Sequence, residues 1–90
     1  MYVRETYSPV AVAANTTVNF TANRVGGFLC TTSGTVTIKD GAGTTIVSAL
    51  AVTAGVWHPI PFILNNNVTT GQLGGSVTTA GGAVGILGVV

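Results

Sequence analysis

Residues 35–46, with the sequence TVTIKDGAGTTI, decide the fold class of this chain. Val36 and Ile38 alternate with threonine and lysine, and this period of two is typical of a strand with one buried face. Asp40-Gly41 follows directly. Asp-Gly between alternating runs predicts a β-hairpin whose two turn residues both take positive φ. This stretch therefore predicts antiparallel sheet.

The rest of the chain repeats this pattern and shows no helical period. Strands are predicted over residues 10–14, 16–22, 28–32, 35–39, 44–52, 56–64, 73–79 and 83–89, with a turn bracketed by Asn23-Arg24 and Gly26-Gly27. About eight short strands spaced by about 8 to 12 residues indicate an all-β domain, either a barrel or an antiparallel β-sandwich. A jelly-roll-like sandwich is preferred to an immunoglobulin-like one, because the Cys…Trp…Cys pattern is absent. Residues 1–9 are predicted to form an extended N-terminal arm, and residues 10–90 a single domain.

The composition points to burial of outer surface in an assembly. Hydrophobic residues make up 47% of the chain and charged residues only 6%, against about 25% charged in ordinary soluble domains. The apolar runs are too short for a transmembrane helix, and residues 1–9 do not have the pattern of a signal peptide. Cys30 is the single cysteine, so no intrachain disulfide can form, which fits synthesis in a reducing cytoplasm.

Charge and chemistry exclude several function classes. A net charge of +1 from scattered Arg4, Arg24 and Lys39 does not support nucleic-acid binding, which needs several cations against phosphates. Cys30 and His58 are the one candidate nucleophile–base pair, and the simpler interpretation is a buried cysteine and a buried or interface histidine. No metal or cofactor site is expected. Three copies of His58 around a trimer axis remain one alternative for a metal, and Asp40 is assigned to turn chemistry before calcium. We expect no enzyme.

Residues 56–63, with the sequence VWHPIPFI, carry the clearest interaction signal. Two prolines at alternate positions predict an edge strand, because proline cannot donate to a sheet ladder. The strand should direct Val56, His58, Ile60, Phe62 and Leu64 toward the core. The opposite strip is then either a second packed face or an oligomer interface; it comprises Trp57, Pro59, Pro61 and Ile63. The uncharged run 85–90 is predicted to be a central or an interface strand.

Two stretches of the sequence resemble small structural proteins of tailed bacteriophages, of the capsid decoration (cement) type. They are residues 25–46, VGGFLCTTSGTVTIKDGAGTTI, and residues 52–62, VTAGVWHPIPF. The resemblance lies in glycine- and threonine-rich strands, an Asp-Gly hairpin and almost no charge. It covers about residues 16–90 and includes no catalytic motif.

The resemblance implies a location and partners for this chain. It implies a virion protein of the capsid surface, made in the host bacterial cytoplasm, that binds the major capsid protein and stabilises the shell. It also implies a homo-oligomer, a homotrimer being favoured over a dimer. The N-terminal arm would then contact the capsid through Tyr2, Arg4, Glu5 and Tyr7. The alternative is a head-fibre or tail module that binds a host receptor or glycan.

Overall fold

A computed structural model describes residues 7–64 and 74–90 of the chain. Within these ranges there are eight β-strands and no helix, which confirms the predicted all-β class. The strands are β1 (Ser8–Val12), β2 (Thr17–Phe20), β3 (Arg24–Thr32), β4 (Gly34–Asp40), β5 (Thr45–Val52), β6 (Trp57–Ile63), β7 (Gly75–Ala80) and β8 (Val84–Val89).

The strands form two four-stranded antiparallel sheets. Sheet A has the order β1-β8-β3-β6, and sheet B has the order β2-β7-β4-β5. The first strand therefore pairs with the last, the second with the second-last, and so inward to the β4–β5 hairpin. A ribbon of nested antiparallel pairs that is divided between two packed sheets is the jelly-roll arrangement. The predicted jelly-roll-like sandwich is thus the fold that forms.

The core lies between the inner faces of the two sheets. Phe28 and Leu87 of sheet A and Val36, Ile38 and Val77 of sheet B are fully buried. The alternation predicted for residues 35–39 is confirmed, because Val36 and Ile38 point inward while Lys39 is exposed. These side chains belong to a single cluster of buried hydrophobic residues whose burial stabilises the fold.

The hairpin after β4 exists, but its turn differs from the prediction. The loop has three residues, closed by hydrogen bonds from Gly43 N–H to Asp40 O and from Asp40 N–H to Thr44 O. Only Gly43 takes a positive φ, of 89°, so a two-residue turn with positive φ at Asp40 and Gly41 is wrong. Gly43 explains this, since a three-residue loop whose last residue is left-handed is a common hairpin connection.

The predicted turn at Gly26-Gly27 is also wrong. Strand β3 runs through both glycines from Arg24 to Thr32, with a shift in the pairing register between Val25 and Gly27. Glycine inside a strand often marks a bulge or the close approach of another group. Both occur here, because aromatic rings lie directly over this part of β3.

Three further predictions concern the ends and edges of sheet A. Strand β6 is an edge strand, and β8, which contains most of the run 85–90, is a central strand between β1 and β3. Strand β1 begins at Ser8, so the last two residues of the predicted arm 1–9 belong to the sheet. Residues 1–6 lie outside the described ranges.

Candidate interaction face

The outer face of sheet A presents two aligned rows of apolar residues, which we call the apolar face. Cross-strand pairing aligns Ala11, Ile86, Leu29 and Trp57 in one row across all four strands. The neighbouring row contains Pro9, Gly88, Gly27 and Pro59. Since opposite residues of an antiparallel pair share one side of the sheet, the two rows form one continuous surface.

Large hydrophobic side chains remain exposed on this surface. Trp57 is 42% exposed, Leu29 40% and Ile86 37%. A strand that buries Phe28 and Cys30 on its inner side must direct Leu29 outward. A single exposed leucine would be ordinary, but a contiguous apolar patch marks an interaction site.

Tyr7 joins Trp57 in the apolar face. Their ring centroids are 6.0 Å apart with 32° between the ring planes, a separation at which aromatic side chains attract each other. Tyr7 is 39% exposed, so the two rings present a joint surface. The sequence predicts Tyr7 in the N-terminal arm and Trp57 on an edge strand, and nothing in their spacing indicates that they meet.

Three glycines form the floor beneath these two rings. A Cβ atom on Gly27 would lie 2.5 Å from Trp57 Cζ2, and a Cβ on Gly88 would lie 3.1 Å from Trp57 Cη2. A Cβ on Gly26 would collide with the Tyr7 ring. The rings therefore rest on bare backbone, which restricts their rotamers and fixes the shape of the exposed surface.

Two shallow depressions lie on either side of Tyr7. The first has a volume of about 170 Å³ and includes Arg24, Pro61, Phe62 and Ile63 in its wall. The second has a volume of about 150 Å³ and is bounded by Pro9, Leu29, Trp57 and Ile86. Both depressions are large enough to receive a side chain from a partner.

The strip predicted on β6 lies at the surface. Trp57, Pro59 and Pro61 are exposed, and Ile63 is 78% exposed.

The opposite side of β6 only partly follows the prediction. Ile60 and Leu64 are buried, His58 is half-buried, and Val56 and Phe62 remain 42% and 45% exposed. Phe62 lies opposite the buried Val25, next to the point where the pairing of β6 with β3 shifts register.

The outer face of sheet B has the opposite chemistry, and we call it the hydroxyl face. Cross-strand pairing aligns Thr17, Thr78 and Thr37 in one row and Asn19, Ser76 and Lys39 in the next. The Thr17 and Thr78 hydroxyls are hydrogen-bonded to each other at 2.9 Å. Lys39 and Asp40 lie on β4 in sheet B, and Arg24 starts β3 in sheet A. No charged side chain of the described residues lies within the two rows of the apolar face.

The candidate catalytic pair, Cys30 and His58, and the candidate calcium ligand Asp40 all make hydrogen bonds within the fold. Cys30 is 1% exposed, and its thiol donates to Thr32 O at 3.0 Å. His58 Nε2 accepts a hydrogen bond from Thr53 N–H at 2.9 Å, and Asp40 Oδ1 accepts one from Thr44 N–H at 2.9 Å. Within residues 7–64 and 74–90 no three His, Cys, Asp or Glu residues come together in a group that could hold a metal ion.

The remaining predicted contacts of the arm involve Tyr2, Arg4 and Glu5, which lie outside the described residues. The described ranges contain no helix long and apolar enough to cross a membrane. Comparison of the chain with models of protein families, with curated proteins and with solved structures gave no match.

Proposed function

We propose that this chain is a structural protein of a tailed-bacteriophage virion, a capsid decoration protein that acts as a homo-oligomer and stabilises the shell. The observation that carries the proposal is the apolar face, which extends over all four strands of sheet A without a charged side chain among the described residues. An exposed apolar surface of this kind marks an interaction site that a partner covers.

The contrast between the two outer faces supports a subunit that buries one face in its assembly and leaves the other in solvent. The hydroxyl face bears threonine, serine, asparagine and Lys39, all of which hydrate well. A decoration protein needs one surface for its assembly contacts and another for solvent. The jelly roll itself is used by virion proteins and by lectins, and this analogy of fold agrees with the sequence resemblance without assigning a function by itself.

A structural role also accounts for the use of the few reactive side chains. Cys30, His58 and Asp40 hold backbone groups in place. Each of these side chains makes a hydrogen bond to a backbone group, as expected of residues that support the fold.

The test uses phage shells that lack the protein. Purified chain is added, and binding is measured by co-sedimentation, followed by the temperature at which the shells release DNA. We expect saturable binding and a higher release temperature. An Arg4→Ala, Glu5→Ala double variant should bind more weakly while its own thermal unfolding is unchanged. Shells that survive heating equally well with and without the protein would contradict the proposal.

A second candidate function is receptor or glycan binding by a head fibre or tail. The Tyr7–Trp57 ring pair favours this function, because exposed rings beside shallow depressions can stack on the C–H groups of a sugar ring. A glycan array probed with the isolated chain separates the two functions. Saturable binding that Trp57→Ala abolishes would favour the glycan module.

A further inference from the structure

We propose that the apolar face is a two-fold self-association surface, covered in the assembled protein by the same face of a second copy. This inference rests on the proposed function for its context and goes beyond it by naming the occupant, the symmetry and the strength of the contact.

The edges of sheet A direct association to the face. Both edge strands contain proline, Pro9 in β1 and Pro59 and Pro61 in β6. Proline removes the backbone donor that an added strand would need, and it is a recognised protection of sheet edges. A partner of sheet A therefore packs against its side chains and does not extend its ladder.

The charge distribution favours a second copy as the occupant. In a two-fold contact the same patch occurs on both subunits, and groups near the axis lie close to their own copies. The rows of the apolar face present no charge to their own image, and Arg24, the cross-strand partner of Ile63, lies beyond the end of these rows. The hydroxyl face would bring Lys39 toward a second Lys39 if the contact centred there, and like charges in contact are unfavourable.

The shape of the face is self-complementary. Ile63 is the most exposed large hydrophobic side chain among the described residues, at 78%. The depression between Pro9, Leu29, Trp57 and Ile86 has a volume of about 150 Å³. In a two-fold contact, every contact between one region of the first copy and another region of the second also forms in reverse. Each copy can therefore insert Ile63 into the depression of the other. Trp57 then lies beside the inserted side chain, in the position where binding energy is usually concentrated.

The area of the face sets the strength of the contact. Four strands about 4.8 Å apart, taken over the five residues of β1 at about 3.4 Å per residue, cover about 19 by 17 Å, or about 320 Å². A stable interface buries about 800 Å² on each partner. The isolated protein should therefore dimerise reversibly at about micromolar to millimolar concentration, and a shell that holds neighbouring copies close together would strengthen the contact. A face-to-face contact closes with two copies, so the structure favours a dimer over the trimer implied by the resemblance.

The test measures mass and tryptophan exposure of the full chain. Sedimentation equilibrium over a range of concentrations should show a monomer–dimer equilibrium. Trp57 is the single tryptophan, so acrylamide quenching of its fluorescence reports on the face directly and should fall as the dimer forms.

Matched variants locate the contact. Ile86→Lys places a charge in the centre of the apolar face, and Thr78→Lys places the same charge on the hydroxyl face. Ile86→Lys should remain monomeric with native circular dichroism, while Thr78→Lys dimerises like the wild type. Ile63→Ala, at the most exposed position, should weaken dimerisation by about tenfold or more.

Three results would overturn the inference: a monomer at every concentration, a trimer, or equal dimerisation by Ile86→Lys and Thr78→Lys. If Ile86→Lys loses its fold, unchanged acrylamide quenching across the wild-type dimerisation would overturn it independently. A protein that protects shells but never dimerises refutes only the self-association surface. One that dimerises through the apolar face but does not bind shells refutes only the proposed function.

Discussion

Ala49 is the residue whose backbone conformation fits its side chain least. It has a φ of 49° at the point where the pairing of β4 with β5 shifts between Val36 and Ile38. Its N–H donates to Thr37 Oγ1 at 2.9 Å, which holds the bulged backbone against β4. A left-handed conformation costs a residue with a Cβ about 1 to 2 kcal/mol. The bulge therefore holds Ala49 in a strained backbone conformation.

Ala49→Gly should relieve this strain. Glycine adopts positive φ readily but loses more conformational entropy on folding, at a cost of about 0.5 to 1 kcal/mol. Ala51→Gly, at an exposed position of the same strand without positive φ, incurs only that cost. In urea unfolding we expect Ala49→Gly to be more stable than Ala51→Gly by about 1 to 2 kcal/mol. Equal losses in the two variants would contradict the assigned strain.

Thr79 connects the β1–β2 turn to sheet B. Its side chain is 2% exposed, its hydroxyl donates to Ala13 O, and it accepts a hydrogen bond from Thr16 N–H at 3.1 Å. The chain passes from sheet A to sheet B between Ala13 and Thr16, so this one hydroxyl satisfies backbone groups at the crossing.

Thr79→Val keeps the shape of the side chain and removes these hydrogen bonds. Losing these part-buried hydrogen bonds costs about 1 to 2 kcal/mol. Thr78→Val is the control, because its hydrogen bond to Thr17 Oγ1 is exposed. We expect its loss to stay below about 0.5 kcal/mol. Thermal unfolding of both variants measures the difference, and similar losses would mean that the crossing is held by other contacts.

Strands β3, β8 and β6 meet beneath the Tyr7–Trp57 ring pair. Gly88 and Gly27 are register partners in β8 and β3, and Pro59 lies opposite Gly27 in β6. The two glycines differ in what surrounds them. A Cβ on Gly88 would approach only aromatic side chains, whereas a Cβ on Gly27 would also lie 2.5 Å from the backbone oxygen of His58.

Gly27→Ala should therefore be more damaging than Gly88→Ala. An alanine at 88 can tilt the rings, at a cost of about 1 kcal/mol, whereas an alanine at 27 must move β6 away from β3, at a cost of about 2 to 3 kcal/mol. Both variants should change the fluorescence of Trp57, and urea unfolding followed by that fluorescence gives both quantities. If Gly88→Ala proved the more damaging, the glycine floor described here would be wrong.

The whole molecule depends on pairing between its chain ends. Strand β8 lies between β1 and β3 and contributes buried Leu87 and Val89 to the core. Strands β2 and β7 are joined in the same nested way in sheet B. The fold therefore has no half that is complete without the other, and its non-local pairs favour slow folding.

Deleting residues 84–90 should abolish the fold. The truncated chain loses a central strand and exposes both β1 and the side of β3 that pairs with β8. We expect no cooperative thermal transition and the narrow amide dispersion of an unfolded chain in NMR spectra. Deleting residues 1–6 is the control, and it should retain the transition because β1 begins at Ser8. A cooperative transition in the chain without residues 84–90 would show that β8 is dispensable.

The sequence by itself determined the all-β class, eight strands near their observed positions and the edge location of β6, but it left open whether Trp57, Pro59, Pro61 and Ile63 form a packed face or an exposed one. The features that it determined follow from local rules, because side-chain alternation and proline chemistry act over a few neighbouring residues. The sequence predicted turn geometry less well. The type of the Asp40–Thr44 loop depended on Gly43. Gly26 and Gly27 lie in a strand, where aromatic rings from residues distant in the sequence pack over them.

Only the tertiary structure decided which strands are neighbours, and with that the candidate site. Leu29, Ile86 and Trp57 form one row because β3 lies between β8 and β6, and Tyr7 reaches Trp57 because β1 pairs with β8 across almost the full length of the chain. Alternation tells which way a side chain points from its strand, but not which strand lies beside it. The order of the strands depends on how the inner faces of the two sheets pack around Phe28, Ile38 and Leu87.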